Sequence, residues 1–156
     1  MPHRLLIATL VGAAGILSRG ATGTAFADTC SLLTPAQVSA ALGVQVGAGK
    51  PFAATLCTWR EEGAQSAKKV ALTILTADRF AIGKDPLPGT EKPSVSGVGD
   101  EAYYKYFTAP RYEKIKVVDL NVKKGGTYFG IEVWGLPVDE AKAKAKTLAL
   151  EVIAKM

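Results

Sequence analysis

KVVDLNVKKGGTYFGIEVW, residues 116–134, carries two alternating runs around a pair of glycines. In the first run Val118, Leu120 and Val122 fall on one side of an extended chain, and Val117, Asp119 and Asn121 fall on the other. Successive strand side chains point to opposite faces, so this alternation marks one buried and one wetter side. KKGG, Lys123 to Gly126, supplies a tight reversal. The returning run, Thr127 to Val133, sends Phe129, Ile131 and Val133 one way and Tyr128 and Glu132 the other. The spacing predicts a β-hairpin from an antiparallel sheet covered on one face.

Working outward, AYYKYF at 102–107 suggests a further strand, with Tyr104 and Tyr106 on one face and Tyr103, Lys105 and Phe107 on the opposite one. The stretch SGVGDEAYY that leads into it places Gly97 and Gly99 at a turn, where Asp100 can bond its own backbone. Farther upstream, KVALTIL (Lys69 to Leu75) and LCTWR (Leu56 to Arg60) read as strands. In LCTWR, Cys57 and Trp59 share a face, and Trp59 reads as core packing beside the cysteine. A short helical turn is expected around Ala77 to Ile82. Gly83 to Gly99, with three prolines and four glycines, is expected to be a loop.

Helices close both ends. In LTPAQV, Thr34 suits the N-cap, Pro35 the first helical position and Gln37 the reciprocal capping place. Leu33 and Val38 are spaced as a hydrophobic staple, and Gly43 ends the helix. After Leu136-Pro137, Asp139 to Ala154 forms a long helix whose apolar face runs through Ala141, Ala145, Leu148 and Val152. Lys142 and Lys146 on this helix read as a solvated outer face rather than a docking stripe. The order predicts an α+β, two-layer domain. Its mainly antiparallel sheet has the N-terminal helix and the long C-terminal helix packed on one face.

Residues 1–27 stand apart. Arg4 precedes the apolar run LLIATLVGAAGIL (Leu5 to Leu17), and the segment ends in Ala25-Phe26-Ala27. This is the order of a secretory signal peptide and its cleavage site. The apolar run is too short to span ~30 Å of hydrocarbon. Cleavage leaves a single domain, 28–156, with no transmembrane segment. It removes Arg4 and Arg19 and no acid, so the formal charge falls from +5 to +3. With no concentrated basic run, nucleic acid is not expected as a partner. Cys30 and Cys57 remain, and an even pair in an exported chain reads as a disulfide. The rival reading, a lipidated Cys30, is disfavoured by the polar Asp28-Thr29 before it and would leave Cys57 alone.

Three markers carry a family resemblance: CSLLTPAQVSAALG at 30–43, CTW at 57–59 and GVGDEAYY at 97–104. Together with the hairpin and terminal helix, they resemble a family of exported bacterial domains of unknown function, common in actinobacteria and often lipoproteins. The resemblance implies a paired Cys30 and Cys57 and an extracytoplasmic domain, and it brings no catalytic residues. This chain departs from it in lacking a lipidation signal. More distantly, the layout is similar to the PsbP/Mog1-like sandwich of non-enzymatic binding modules, an analogy of fold alone.

Chemistry is bounded by subtraction. The one histidine, His3, leaves with the leader, so the mature chain has no Ser-His-Asp triad, Cys-His pair or histidine metal ligand. No nucleophile elbow, phosphate loop or zinc-protease motif occurs, and neither a metal nor a cofactor is implied. Asp100 and Glu101 diverge in an extended chain. They would need distant partners such as Asp119 or Glu132 for carboxylate chemistry, and nothing in the sequence brings those to them.

What remains is surface. Tyr128 and Glu132 project from the face opposite the helices, Trp134 continues their parity, and Tyr104 or Tyr106 is the candidate addition. The alternative is an aromatic ladder that only supports strand pairing. The leading expectation is a secreted or periplasmic, non-catalytic binding or accessory domain for an extracytoplasmic protein or small ligand. The alternatives are a small carboxylate-dependent hydrolase of cell-envelope glycans, and an inhibitor that inserts the Gly83–Gly99 loop into an extracellular enzyme.

Overall fold

The computed structural model describes residues 28–63, 68–109 and 116–156. The leader assigned to residues 1–27 lies outside the described residues. The strands are β1 (Lys50–Ala53), β2 (Leu56–Arg60), β3 (Lys69–Thr76), β4 (Thr90–Glu91), β5 (Ser94–Val95), β6 (Glu101–Phe107), β7 (Val117–Lys124) and β8 (Thr127–Trp134). They form one antiparallel sheet in the order β1-β2-β3-β8-β7-β6-β4, with β5 also pairing β6. Two local meanders, β1–β3 and β6–β8, are thus joined where β3 meets β8.

The predicted hairpin is β7–β8, paired from Val117↔Trp134 to Lys124↔Thr127. Its inward residues Val118, Leu120, Val122, Phe129, Ile131 and Val133 are all buried. Register carries that face across the sheet, through Val70, Leu72 and Ile74 of β3 to Cys57 and Trp59 of β2. The core between sheet and helices is therefore written in period two across four strands.

Helix α1 (Pro35–Leu42) begins as its sequence dictates. Thr34 Oγ1 accepts from the Gln37 backbone N–H at 3.2 Å, and Gln37 Oε1 accepts from the Thr34 N–H at 2.9 Å. Gln37 also donates to Glu151 at 2.7 Å, tying α1 to α3 (Val138–Ile153). Leu33 and Val38, the staple pair, are buried. On α3, Ala141, Ala145, Leu148, Ala149 and Val152 are buried against the sheet, so α1 and α3 share one layer. A 3-10 turn at Thr29–Leu32 leads into α1, and the Cys30–Cys57 disulfide fastens it to β2. Gly49 lies against this joint: a Cβ there would sit 2.7 Å from Trp59 Nε1 and 2.8 Å from Cys57 Sγ.

Two expectations need correction, and the expected helical turn takes a place no expectation assigned. First, residues 83–99 are not only loop, because β4 and β5 within them pair with β6. Lys92 braces the preceding turn by donating to the carbonyls of Gly83 and Asp85. The expected helical turn, α2 (Asp78–Ile82), lies on the sheet face opposite α1 and α3. Its buried Phe80 packs on Tyr103 and Tyr128 there. Second, Lys142 and Lys146 are engaged with the fold rather than simply solvated. Lys142 Nζ stands 4.0 Å from the Tyr106 ring centroid, and Lys146 donates to Ser96 O at 3.1 Å.

The SGVGDEAYY stretch is a loop exit and strand start, but Asp100 does not close on its own backbone. It reaches across to the hairpin turn, accepting from the Gly125 N–H at 2.6 Å and pairing with Lys124 Nζ at 3.0 Å. The Gly125 bond, followed by Lys124, holds this carboxyl below the usual aspartate range. Glu101 pairs with Lys84, two residues past the end of α2. Gly99 makes the crossing possible: it adopts φ +62°, and a Cβ there would lie 2.6 Å from the Lys123 carbonyl oxygen. Gly125 has φ +56° with nothing within 4 Å of such a Cβ. Gly125→Ala should therefore cost about 1–2 kcal/mol in left-handed strain alone. Gly99→Ala should cost distinctly more, because the β7 backbone must also give way. Urea unfolding of the two variants checks this, and equal losses would refute the close approach.

Candidate functional site

The outer sheet face divides into a half covered by α2 and a half that no described helix covers. Under α2, Phe80 lies 5.3 Å from the Tyr103 ring and 5.9 Å from the Tyr128 ring, between centroids. Tyr128 donates to Asn121 Oδ1 at 2.6 Å, and Asn121 is almost wholly buried. Gly130 leaves room for this cluster: a Cβ there would lie 3.4 Å from Asp119 Oδ1 and 3.5 Å from the Tyr128 hydroxyl. Tyr128 thus projects from the expected face, but it serves as packing beneath α2.

Burial, with the Asp119 charge second, pushes the Tyr103 phenol up to about 12 and raises Tyr128 as well. The Tyr103 hydroxyl is buried and has no hydrogen-bond partner among the described residues. An unfolded tyrosine ionises near pH 10, so between about 10 and 12 the folded chain holds protons that the unfolded chain has released. This stability is complete below pH ~10 and falls as pH rises through about 12. Tyr103→Phe should be neutral or raise stability by about 1 kcal/mol at pH 8, since it removes an unpaired buried hydroxyl. It should also flatten the alkaline decline. Urea midpoints from pH 8 to 12 test both, and an unchanged alkaline slope would count against Tyr103 as its source.

Beyond α2, the other half forms a cleft of about 200 Å³ lined by Lys105, Phe107, Val117, Asp119, Glu132 and Trp134, with Tyr106 also bordering it. Register builds it as two rows. In one, Lys105 faces Asp119, and Asp119 faces Glu132. In the next, Val117 faces Trp134, which in turn faces Lys69 on β3. Lys105 Nζ pairs with Asp119 Oδ2 at 2.9 Å, and Asp119 is only 8% exposed. The Trp134 indole N–H donates to Glu132 Oε2 at 3.0 Å, and Lys69 Nζ stands 3.9 Å from the indole centroid. Burial lowers the Lys69 pKa, as does neighbouring Arg60, while Glu132 opposes them.

The expected binding surface is therefore redistributed. Glu132 and Trp134 line the cleft. Tyr104 and Tyr106 belong to the helix face, because register sets them opposite Leu120 and Val118, whose side chains point into the core. The Tyr104 hydroxyl donates to Lys142 O at 3.0 Å and that of Tyr106 to Glu91 at 2.5 Å. Burial raises the Tyr104 pKa, with Lys142 opposing.

Lys105 and Asp119 were not among the expected surface residues, although the sequence contained a signal for the acid pair. A two-residue Gly125-Gly126 turn sets Lys124 opposite Thr127, and stepping back along both strands brings Asp119 opposite Glu132.

Among the described residues, no three His, Cys, Asp or Glu side chains gather as a metal site, and no helix is long and apolar enough to cross a membrane. Comparison of the chain with protein-family models, curated proteins and solved structures finds no match, so the cleft is interpreted from its own residues.

Proposed function

We propose that this chain is an exported, non-catalytic binding or accessory domain whose ligand meets the outer sheet face at the cleft between Lys105 and Trp134. The observation that carries this reading is the gathering of an indole, two carboxylates and an ammonium in one concavity, on the face that α1 and α3 leave uncovered. Aromatic side chains beside a few fixed polar groups are the usual lining of a binding site. The leader pattern in residues 1–27 and the Cys30–Cys57 disulfide support a destination outside the cytoplasm.

One observation favours a second reading, hydrolysis of glycans. Asp119 and Glu132 are cross-strand neighbours. Such neighbours hold their Cβ atoms ~4.5–5.5 Å apart, near the carboxyl separation of retaining glycosidases. Against it, both acids stand on one face rather than flanking a scissile bond. Each is also held by a donor, Lys105 for Asp119 and the indole for Glu132.

The test is retention on immobilised protein, lipid and polysaccharide fractions of the producing organism's cell envelope. The exported protein should be retained on one fraction, and Trp134→Ala and Glu132→Gln should each weaken that retention about tenfold without loss of fold. Equal retention of the variants, or no retention of the unaltered protein on any fraction, defeats the binding reading. Glycan turnover abolished by Asp119→Asn would put the hydrolase in its place.

A further inference from the structure

We infer that Cys30 is a thiol–disulfide exchange site: an incoming thiolate attacks Cys30 Sγ from the cavity beside β1, and Cys57 Sγ departs toward the Trp59 indole N–H. None of these residues belongs to the outer-face cleft. Exchange takes place at the sulfur that an attacking thiolate can reach. The two sulfurs differ in that respect. Cys57 is fully buried, held in β2 between Pro51 of β1 and Leu72 of β3. Cys30 is half-buried and lines a cavity of about 410 Å³ with Thr29, Pro51, Phe52, Ala53 and Leu56.

That cavity has room for the attacking group. Its volume lies within the ~300–1,000 Å³ of sites that enclose small molecules. A mixed disulfide on Cys30 extends into this space, whereas one on Cys57 would have to fit inside the close-packed core. Cys30 also stands on the short Thr29–Leu32 turn, while Cys57 stands on a strand paired on both sides. The turn yields to an attached group more readily than the strand.

The departing sulfur meets an unused donor. Trp59 Nε1 is buried and has no hydrogen-bond partner among the described residues. A buried donor left unpaired is costly, and redox sites are among the places where such groups persist. Trp59 and Cys57 share a face of β2, and the Cβ position of Gly49 lies 2.7 Å from Nε1 and 2.8 Å from Cys57 Sγ. Both atoms therefore border one point beside Gly49. While the bond is intact, Cys57 Sγ is tied to Cys30. Once released, it turns toward the indole and accepts from the N–H. A thiolate in an apolar surrounding needs such a donor.

The step balances. The thiolate's electron pair forms the new bond to Cys30 Sγ, the S–S pair leaves on Cys57 Sγ, and solvent then protonates that sulfur. One thiolate and one disulfide become another of each. Two sources present the attacking group, a low-molecular-weight thiol and the active-site thiol of an oxidoreductase.

The experiment incubates the folded, oxidised protein with glutathione, quenches in acid and maps the adduct by peptide mass. Glutathione should sit on Cys30 with Cys57 free, and the rate should rise in proportion to thiolate concentration. A reduced C-x-x-C oxidoreductase at matched thiolate is the second arm, and the faster of the two identifies the source. In the reduced, folded, ¹⁵N-labelled protein the Trp59 indole N–H should move downfield, while the Trp134 indole stays. Trp59→Phe should lower the equilibrium constant for reduction by glutathione about tenfold, the worth of one hydrogen bond. The indole shift is read on the unaltered chain and does not depend on the variant folding.

Glutathione on Cys57, or a rate independent of thiol concentration, overturns the inference, since either means that exchange waits for unfolding. Failure of both thiols to react with the folded protein overturns it too. So does an unmoved Trp59 indole, or a folded Trp59→Phe variant with an unchanged equilibrium.

Discussion

Reducing the Cys30–Cys57 bond should lower stability by about 3–4 kcal/mol, the chain-entropy value for a loop of this length. For a domain of this size the thermal midpoint should fall by roughly 10–20 °C. The loss has a structural location. Without the bond, only packing and a few hydrogen bonds hold the Thr29–Leu32 turn, among them Thr29 Oγ1 to Ala54 O at 3.1 Å. Cys57 lies fully buried beside Gly49 and Trp59, so the released thiol stays in a tight apolar site. Thermal unfolding of the protein with and without reductant reads the effect, with intact mass after alkylation confirming the redox state. Coincident midpoints for the two forms would show that the bond constrains nothing the fold does not already hold.

Phe80→Ala should be comparably costly, at about 3–5 kcal/mol for truncating a buried phenylalanine. Phe80 is the one buried side chain of α2, and its ring contacts with Tyr103 and Tyr128 dock this five-residue helix on the outer face. So short a helix has little stability of its own. The variant should therefore lose α2 as a unit, and both phenols should then titrate closer to pH 10. Urea unfolding gives the energy, and ultraviolet titration of the tyrosines gives the location. A loss below about 1 kcal/mol with unchanged phenol titration would contradict this role for Phe80.

The features legible in the sequence were those that rest on local chemistry. The β7–β8 hairpin followed from alternation around Gly125-Gly126, and α1 from Thr34, Pro35 and Gln37, each in the place its bonds require. The disulfide followed from cysteine parity. Features set by distant partners did not show. β4 and β5 are two residues each, too short for any period, and exist only because β6 offers them an edge. β1 is exposed at all four positions, with Phe52 85% exposed, so burial left no alternation to read. Tyr104 and Tyr106 were placed on a common face, but which face depended on register against β7, joined to β6 through a connection with no pattern to fix it. The cleft was half legible for the same reason. The hairpin contains Asp119, Glu132 and Trp134, while Lys105 and Phe107 arrive only once β6 docks.

The joining of two meanders at β3 and β8 has a consequence for how the domain comes together. Pairing Thr76 with Thr127 must close the whole intervening chain, a non-local step of the kind that slows β-rich folding. The disulfide does nothing to shorten that span, because Cys30 and Cys57 both precede β3. All the cleft-lining residues, in contrast, come from β6, β7 and β8. The staple and the cleft are thus carried by separate stretches of one polypeptide. Changes to the first 60 or so residues can alter how long the protein endures, while the lining of the cleft varies independently in the last third.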